Sequence, residues 1–220
     1  MNTIIKKIKD PGSAITHFIA FVGAILATTP LLIKAYHGDN RNYLGAFAIF
    51  ILSMAALYAA STIYHTFDIS EKVNTLLRKI DHAMIFVMIA GSYTPVCLIA
   101  LPRKVGIPLL VTVWLITIIG TLFKIFWITC PRWLSSAMYI GMGWLSVLAI
   151  SSIFKGLTHT AFAWLLLGGI IYTIGGVIYA LKLPLFKKVN WKNFGNHELF
   201  HCFVMLGSIC HFVMVYQYLA

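Results

Sequence analysis

In the stretch NHELFHCF, His197 and His201 stand four residues apart, with Glu198 beside the first. On a helix that spacing puts both imidazoles on one face, aimed at one point. Two convergent histidine nitrogens form the start of a metal site, and zinc takes neutral histidine nitrogen at about 2.0–2.1 Å. H-E-x-x-H is also the short signature of zinc peptidases, in which the glutamate activates water. That signature requires a third ligand downstream. His211 shares the face of His197 but lies ten residues beyond His201, about 15 Å along a helix at ~1.5 Å per residue. It cannot hold the same ion. Glu198 is therefore expected to cap the start of its helix, where negative charge meets the positive end of the dipole, with proton transfer as a minor role.

A membrane bundle must position these residues. The 220 residues are 60% hydrophobic and 10% charged, with a mean hydropathy of +0.87. A soluble domain of this size carries more charge, because its surface has to be wetted. The runs 11–33, 42–67, 83–102, 105–123, 133–154, 156–181 and 199–220 contain no Asp, Glu, Lys or Arg. Each is at least 19 residues long, against about 20 for a helix crossing the hydrocarbon core. The runs are solidly apolar, which favours helices over the alternating strands of a barrel.

The sequence thus predicts an all-α integral membrane protein, one seven-helix domain over 1–220. Its helices are expected at about 14–34, 43–66, 81–101, 106–127, 133–154, 160–181 and 197–219. The basic MNTIIKKIKD looks like the n-region of a signal peptide. The apolar run after it is too long for an h-region and has no small-x-small cleavage site, so it reads as a retained first helix. Cys97, Cys130, Cys202 and Cys210 have no paired spacing. They read as buried small apolar residues without a disulfide framework.

Charge then orients the bundle. With the N-terminus cytoplasmic, the inner segments hold Lys6, Lys7, Lys9, Lys72, Arg78, Lys79, Lys124, Arg132, Lys182, Lys187, Lys188 and Lys192. The outer segments hold Lys34, Arg41, Arg103, Lys104 and Lys155. Positive loops stay in the cytoplasm, so the C-terminus is expected outside. The net charge of +11 is read as this orientation signal, with attraction to anionic lipid secondary and no nucleic-acid partner.

This topology gathers the chemistry. Helix 2 ends inside on ASTIYHTF, helix 3 begins inside on RKIDHAMIF, and helix 7 begins inside on NHELFHCF. His65, Asp81, His197 and His201 therefore share one depth, where ionisable groups are costly and informative. Three histidines with an open fourth position are the usual catalytic arrangement of zinc. Asp81 could hold the metal's water or hydrogen-bond a ligand imidazole. Ser61 precedes His65 by four, on the same face, and could bond the water or a substrate carbonyl. His17, near the inner end of helix 1, could approach the site but reads rather as a packing residue, and His82 as pointing about 100° away from Asp81. Pro95 is expected to kink helix 3, with Ser92 or Thr94 satisfying a freed carbonyl and Ser92 lining a cavity above the site. GMGW (141–144) and GGIIYTIGG (168–176) read as small-residue helix contacts. Trp127, Trp133, Trp191 and Tyr218 read as interfacial anchors.

STIYH on helix 2, DHAMIF followed by AGSYTP on helix 3, YTIGGVIYALKLP on helix 6 and HELFHCFVMLGSICHF on helix 7 occur in that order along the chain. Together they resemble the bacterial hemolysin III family, related to the progestin and adipoQ receptors and more distantly to alkaline ceramidases. The resemblance covers almost the whole chain. It implies a seven-helix bundle with a cytoplasmic N-terminus and an intramembrane zinc near the cytoplasmic face. The family's zinc histidines fall on His65, His197 and His201, its carboxylate on Asp81 and its helix 2 serine on Ser61. The receptor branch carries a long soluble region before its first helix, where this sequence has about ten residues. Ligand sensing through such a region is not expected here.

The expected function is a zinc-dependent hydrolase of lipid amide or ester bonds, of ceramidase type, acting on a membrane lipid with a long acyl chain. The alternative is a non-catalytic membrane protein with structural zinc, acting in lipid homeostasis or signalling. A pore-forming cytolysin needs a water-stable form, which seven obligate spans deny. The expected location is the cell membrane, as a multi-pass protein.

Overall fold

The computed structural model describes residues 8–181 and 194–220. The cations Lys6, Lys7, Lys182, Lys187, Lys188 and Lys192, and Trp191, lie outside the described residues. All regular elements among the described residues are helical. They are α1 (Pro11–His37), α2 (Leu44–Thr66), α3 (Glu71–Pro95), α4 (Arg103–Phe126), α5 (Arg132–Gly156), α6 (His159–Leu181) and α7 (Asn196–Tyr218). Each belongs to a span of at least 23 residues with an uncharged, apolar stretch, enough at ~1.5 Å per residue to exceed the roughly 30 Å hydrocarbon core.

Consecutive helices pack together from α1 through α4, α6 pairs with both α5 and α7, and α7 returns to α1. The core is built mainly on α2 and α3, where Phe47, Phe50, Ile51, Tyr58, Phe86 and Ala90 are buried. The outer helices expose large apolar side chains instead, such as Ile19 and Leu26 on α1 and Leu115, Ile118 and Ile119 on α4. A surface of that kind is stable against lipid tails, not water.

Local chemistry sets the ends and breaks of the helices. Pro11 occupies the first turn of α1, where its missing N–H costs nothing. Helix α3 begins at Glu71, ten residues before the predicted start, because the Ser70 hydroxyl accepts from Val73 N at 3.3 Å and caps it there. The polar turn EKVNTLLRKI is helical although it is not apolar; a cap ends a helix, the membrane boundary does not. At the other end, Pro95 is followed by a π-helical turn, Val96–Ala100. Ser92 and Thr94 bond the carbonyls of Ile89 and Ala90.

The fifth span was expected as one helix, but it narrows to a 3₁₀ segment at Trp144–Ala149. The cause is a side chain in the ladder. The Tyr93 hydroxyl from α3 lies 3.0 and 2.6 Å from the carbonyls of Met142 and Gly143, and accepts from Ser146 N at 2.9 Å. Gly141 and Gly143 have open space around them, so GMGW is not the close contact expected, whereas Gly168 and Gly175 on α6 do touch α7. Lys124, read as a cytoplasmic loop charge, is fully buried at the α4–α5 junction. Its amine donates to Cys130 Sγ and Ser135 Oγ. Trp127, Trp133 and Tyr218 are exposed near helix ends, as interfacial residues should be.

Candidate metal centre

His65 occupies the last turn of α2, and His197 and His201 the first two turns of α7. One ring nitrogen from each lies within 4.8 Å of the others. His65 Nε2 and His197 Nε2 are 3.2 Å apart. His65 and His201 are buried, and His197 is half-buried. Sequence spacing within α7 dictates one pair; the packing of α2 against the same end of the bundle supplies the third ring.

The outer nitrogens are held by other residues. Asp10 Oδ2 accepts from His65 Nδ1 at 3.0 Å. Thr16 Oγ1 lies 3.1 Å from His201 Nδ1 and spends its own hydrogen on the carbonyls of Gly12 or Ser13. His65 and His201 therefore carry their protons on Nδ1, leaving their Nε2 lone pairs free for the centre. His197 Nε2 and His65 Nε2, 3.2 Å apart, repel if both present lone pairs, and are held either by one proton between them or by a cation among the three rings. Neutral imidazoles braced by a carboxylate or hydroxyl are a donor set that suits zinc.

The other predicted residues gather at the same place in different roles. Ser61 is 1% exposed and its hydroxyl has no hydrogen-bond partner among the described residues. Asp81 is buried at the start of the apolar part of α3. Its carboxylate lies 3.2 Å from His82 Nδ1, so His82 turns toward it and not away. The same nitrogen is 2.9 Å from the carbonyl of Arg78. Bracing of a ring thus falls to Asp10, while Asp81 faces the cavity. Glu198 is occupied twice: Oε2 accepts from Gly195 N at 2.8 Å, capping α7, and Oε1 from Ser13 Oγ at 2.5 Å. His211 lies away from the three rings, bonded through Nε2 to Leu165 O at 3.2 Å.

Sequence reasoning brings only His17 of the first helix near this site; the structure adds three more residues at the head of α1. Asp10, Ser13 and Thr16 bond His65, Glu198 and His201 respectively, and His17 stacks on His201. A signal existed: polar residues at 10, 13, 16 and 17 share one face at the head of an otherwise apolar helix. Asp10 escapes notice because it precedes the apolar run.

His17, Ser61, Asp81, His197 and His201 all line one cavity of about 210 Å³. It continues along α3 past Ser92 to Cys97, between mainly apolar walls that include Met88, Val96 and Ile153. A polar floor beneath an apolar shaft is the form of a site for an amphipathic molecule.

Comparison with known proteins agrees with this architecture. A model of the Haemolysin-III related family matches residues 5–212. The Hemolysin-3 homolog of Bacillus subtilis (strain 168) is 36% identical over 210 residues, covering 96% of this chain and 94% of that protein. Hemolysin-3 of Bacillus cereus is 36% identical over 211 residues, covering 96% and 91%. An adiponectin receptor protein of Drosophila melanogaster is 23% identical over 222 residues, covering 92% of this chain and 49% of its own length. With seven membrane-length helices and a family match over nearly its full extent, the chain is a multi-pass cell-membrane protein and belongs to the Haemolysin-III related family.

Proposed function

We propose that this protein is a zinc-dependent hydrolase of lipid amide or ester bonds, with His65, His197 and His201 as the metal ligands. The observation that carries the reading is the convergence of these nitrogens within 4.8 Å, with His197 and His201 at the polar floor of an apolar cavity. Zinc would supply Lewis acidity, which brings the pKa of water toward about 7 and polarises a carbonyl. The cluster holds no fourth His, Cys, Asp or Glu among the described residues, which favours an open coordination position over a closed structural one.

The remaining roles belong to side chains of the chain itself. Asp81 takes a proton from water and returns it to the leaving amine or alcohol. Ser61, whose hydroxyl has no protein partner among the described residues, donates to the carbonyl oxygen and so favours the charge that develops there. Asp10 and Thr16 hold the ligand rings in one tautomer. The apolar shaft takes the acyl chain and excludes water from it. We place the site at the cytoplasmic face. Lys9, Lys72, Arg78, Lys79 and Arg132 lie at the same end of the bundle, against Lys34, Arg41, Arg103, Lys104 and Lys155 at the other.

Purified protein with zinc should release fatty acid from a ceramide-like substrate, and Asp81→Ala should abolish release while one metal per chain is retained. Full turnover in that variant removes Asp81 as the base. Zinc bound with no lipid cleaved across amide and ester substrates would favour structural zinc instead.

A further inference from the structure

We infer that His17 is a fourth functional imidazole of this centre, one that hydrogen-bonds the small ligand beside the metal without binding the metal itself. The inference rests on the metal reading given above. His17 is 3% exposed, and neither of its ring nitrogens has a hydrogen-bond partner among the described residues. Its ring is well packed, face to face with His201 at 3.5 Å and edge-on to Tyr58 at 5.1 Å. Packing of that kind accounts for an aromatic ring at this position. It does not account for two buried polar nitrogens, which a phenyl ring would avoid at no loss of contact.

The same stacking excludes His17 from the ligand set. An imidazole coordinates through a lone pair that lies in the plane of its ring. The His17 and His201 rings are parallel to within 10° and one ring thickness apart, so their lone pairs run side by side and do not converge on one atom. The convergent nitrogens are those of His65, His197 and His201. His17 nevertheless lines the same cavity as Ser61 and Asp81. A neutral imidazole there offers one N–H donor and one acceptor, which suits a water, an anion or a carbonyl oxygen held at the open position.

Azide titration of the full chain in detergent, loaded with cobalt(II) and followed by its visible absorption, tests this. His17→Phe keeps a stacking ring and removes both nitrogens, while His17→Gln keeps a donor and an acceptor. All three proteins should bind one metal per chain. The azide dissociation constant should rise about tenfold or more in His17→Phe, as for the loss of one hydrogen bond to an anion, and fall back in part in His17→Gln. Unchanged azide affinity in metal-loaded His17→Phe, or loss of the metal from it, would overturn the inference. A wild-type protein that takes up neither cobalt nor zinc would bring down the metal reading and this inference with it.

Discussion

Asp10 and Thr16 show how much of the proposed metal site lies outside its ligands. The Nε2 lone pair of His65 faces inward because Asp10 holds the Nδ1 proton at 3.0 Å, and Thr16 does the same for His201 at 3.1 Å. Removing such a partner lets the ring rotate or change tautomer, at a typical cost of about 10–100-fold in metal affinity. Asp10→Ala and Thr16→Val should each weaken zinc by about that factor in competition with a calibrated chelator. Thermal unfolding of the metal-free protein should change little, since the Asp10 side chain is 44% exposed. Equal zinc affinity in both variants would mean that the ring orientations are set by packing alone.

At the scale of elements, the two irregular turns are opposite ends of one design. The π turn after Pro95 directs the carbonyls of Cys97 and Ala100 at neighbouring helices, and glycine is what allows the neighbours to approach. A Cβ on Gly106 would lie 2.0 Å from the Cys97 oxygen, and one on Gly156 would lie 1.9 Å from the Ala100 oxygen. Backbone must move to admit either, so Gly106→Ala and Gly156→Ala should each destabilise by about 1–3 kcal/mol. Gly141→Ala has nothing within 4 Å and serves as the neutral control. Thermal unfolding of the three in detergent separates these outcomes. Tyr93→Phe should also destabilise, by about 1–3 kcal/mol, because the hydroxyl that bridges Met142 and Ser146 leaves buried groups unpaired. A fully stable Tyr93→Phe would mean that the 3₁₀ segment of α5 stands without that bridge.

Over the whole molecule, the centre joins elements that are far apart in the chain. Residues 10–17 of the first span, 65 of the second and 197–201 of the last meet at one end of the bundle. A ligand that binds only the folded arrangement stabilises it by mass action, about 2.7 kcal/mol at one hundred times its Kd. Chelation should therefore lower the unfolding temperature of the zinc-loaded protein, and readdition of zinc should restore it. The same treatment should leave His201→Ala unmoved. A wild-type protein indifferent to both treatments would show that no metal ties these helices.

Composition and charge-free run length alone determined that this chain forms seven membrane helices, because lipid leaves the backbone few alternatives to the helix. The i, i+4 pair of His197 and His201 was legible for the same kind of reason, since helical periodicity is local. His65 and Asp81 could be placed at the same depth by counting charges, and Ser61 on the face of His65 by its spacing, but depth is not contact. Only packing decided that His65 meets His197 at 3.2 Å, that Asp10 and not Asp81 braces it, and that His17 stacks on His201. Those facts depend on the rotation of each helix about its axis. That rotation is set by long-range contacts, such as Tyr93 entering α5 or α1 closing on α7, which no short window of sequence contains.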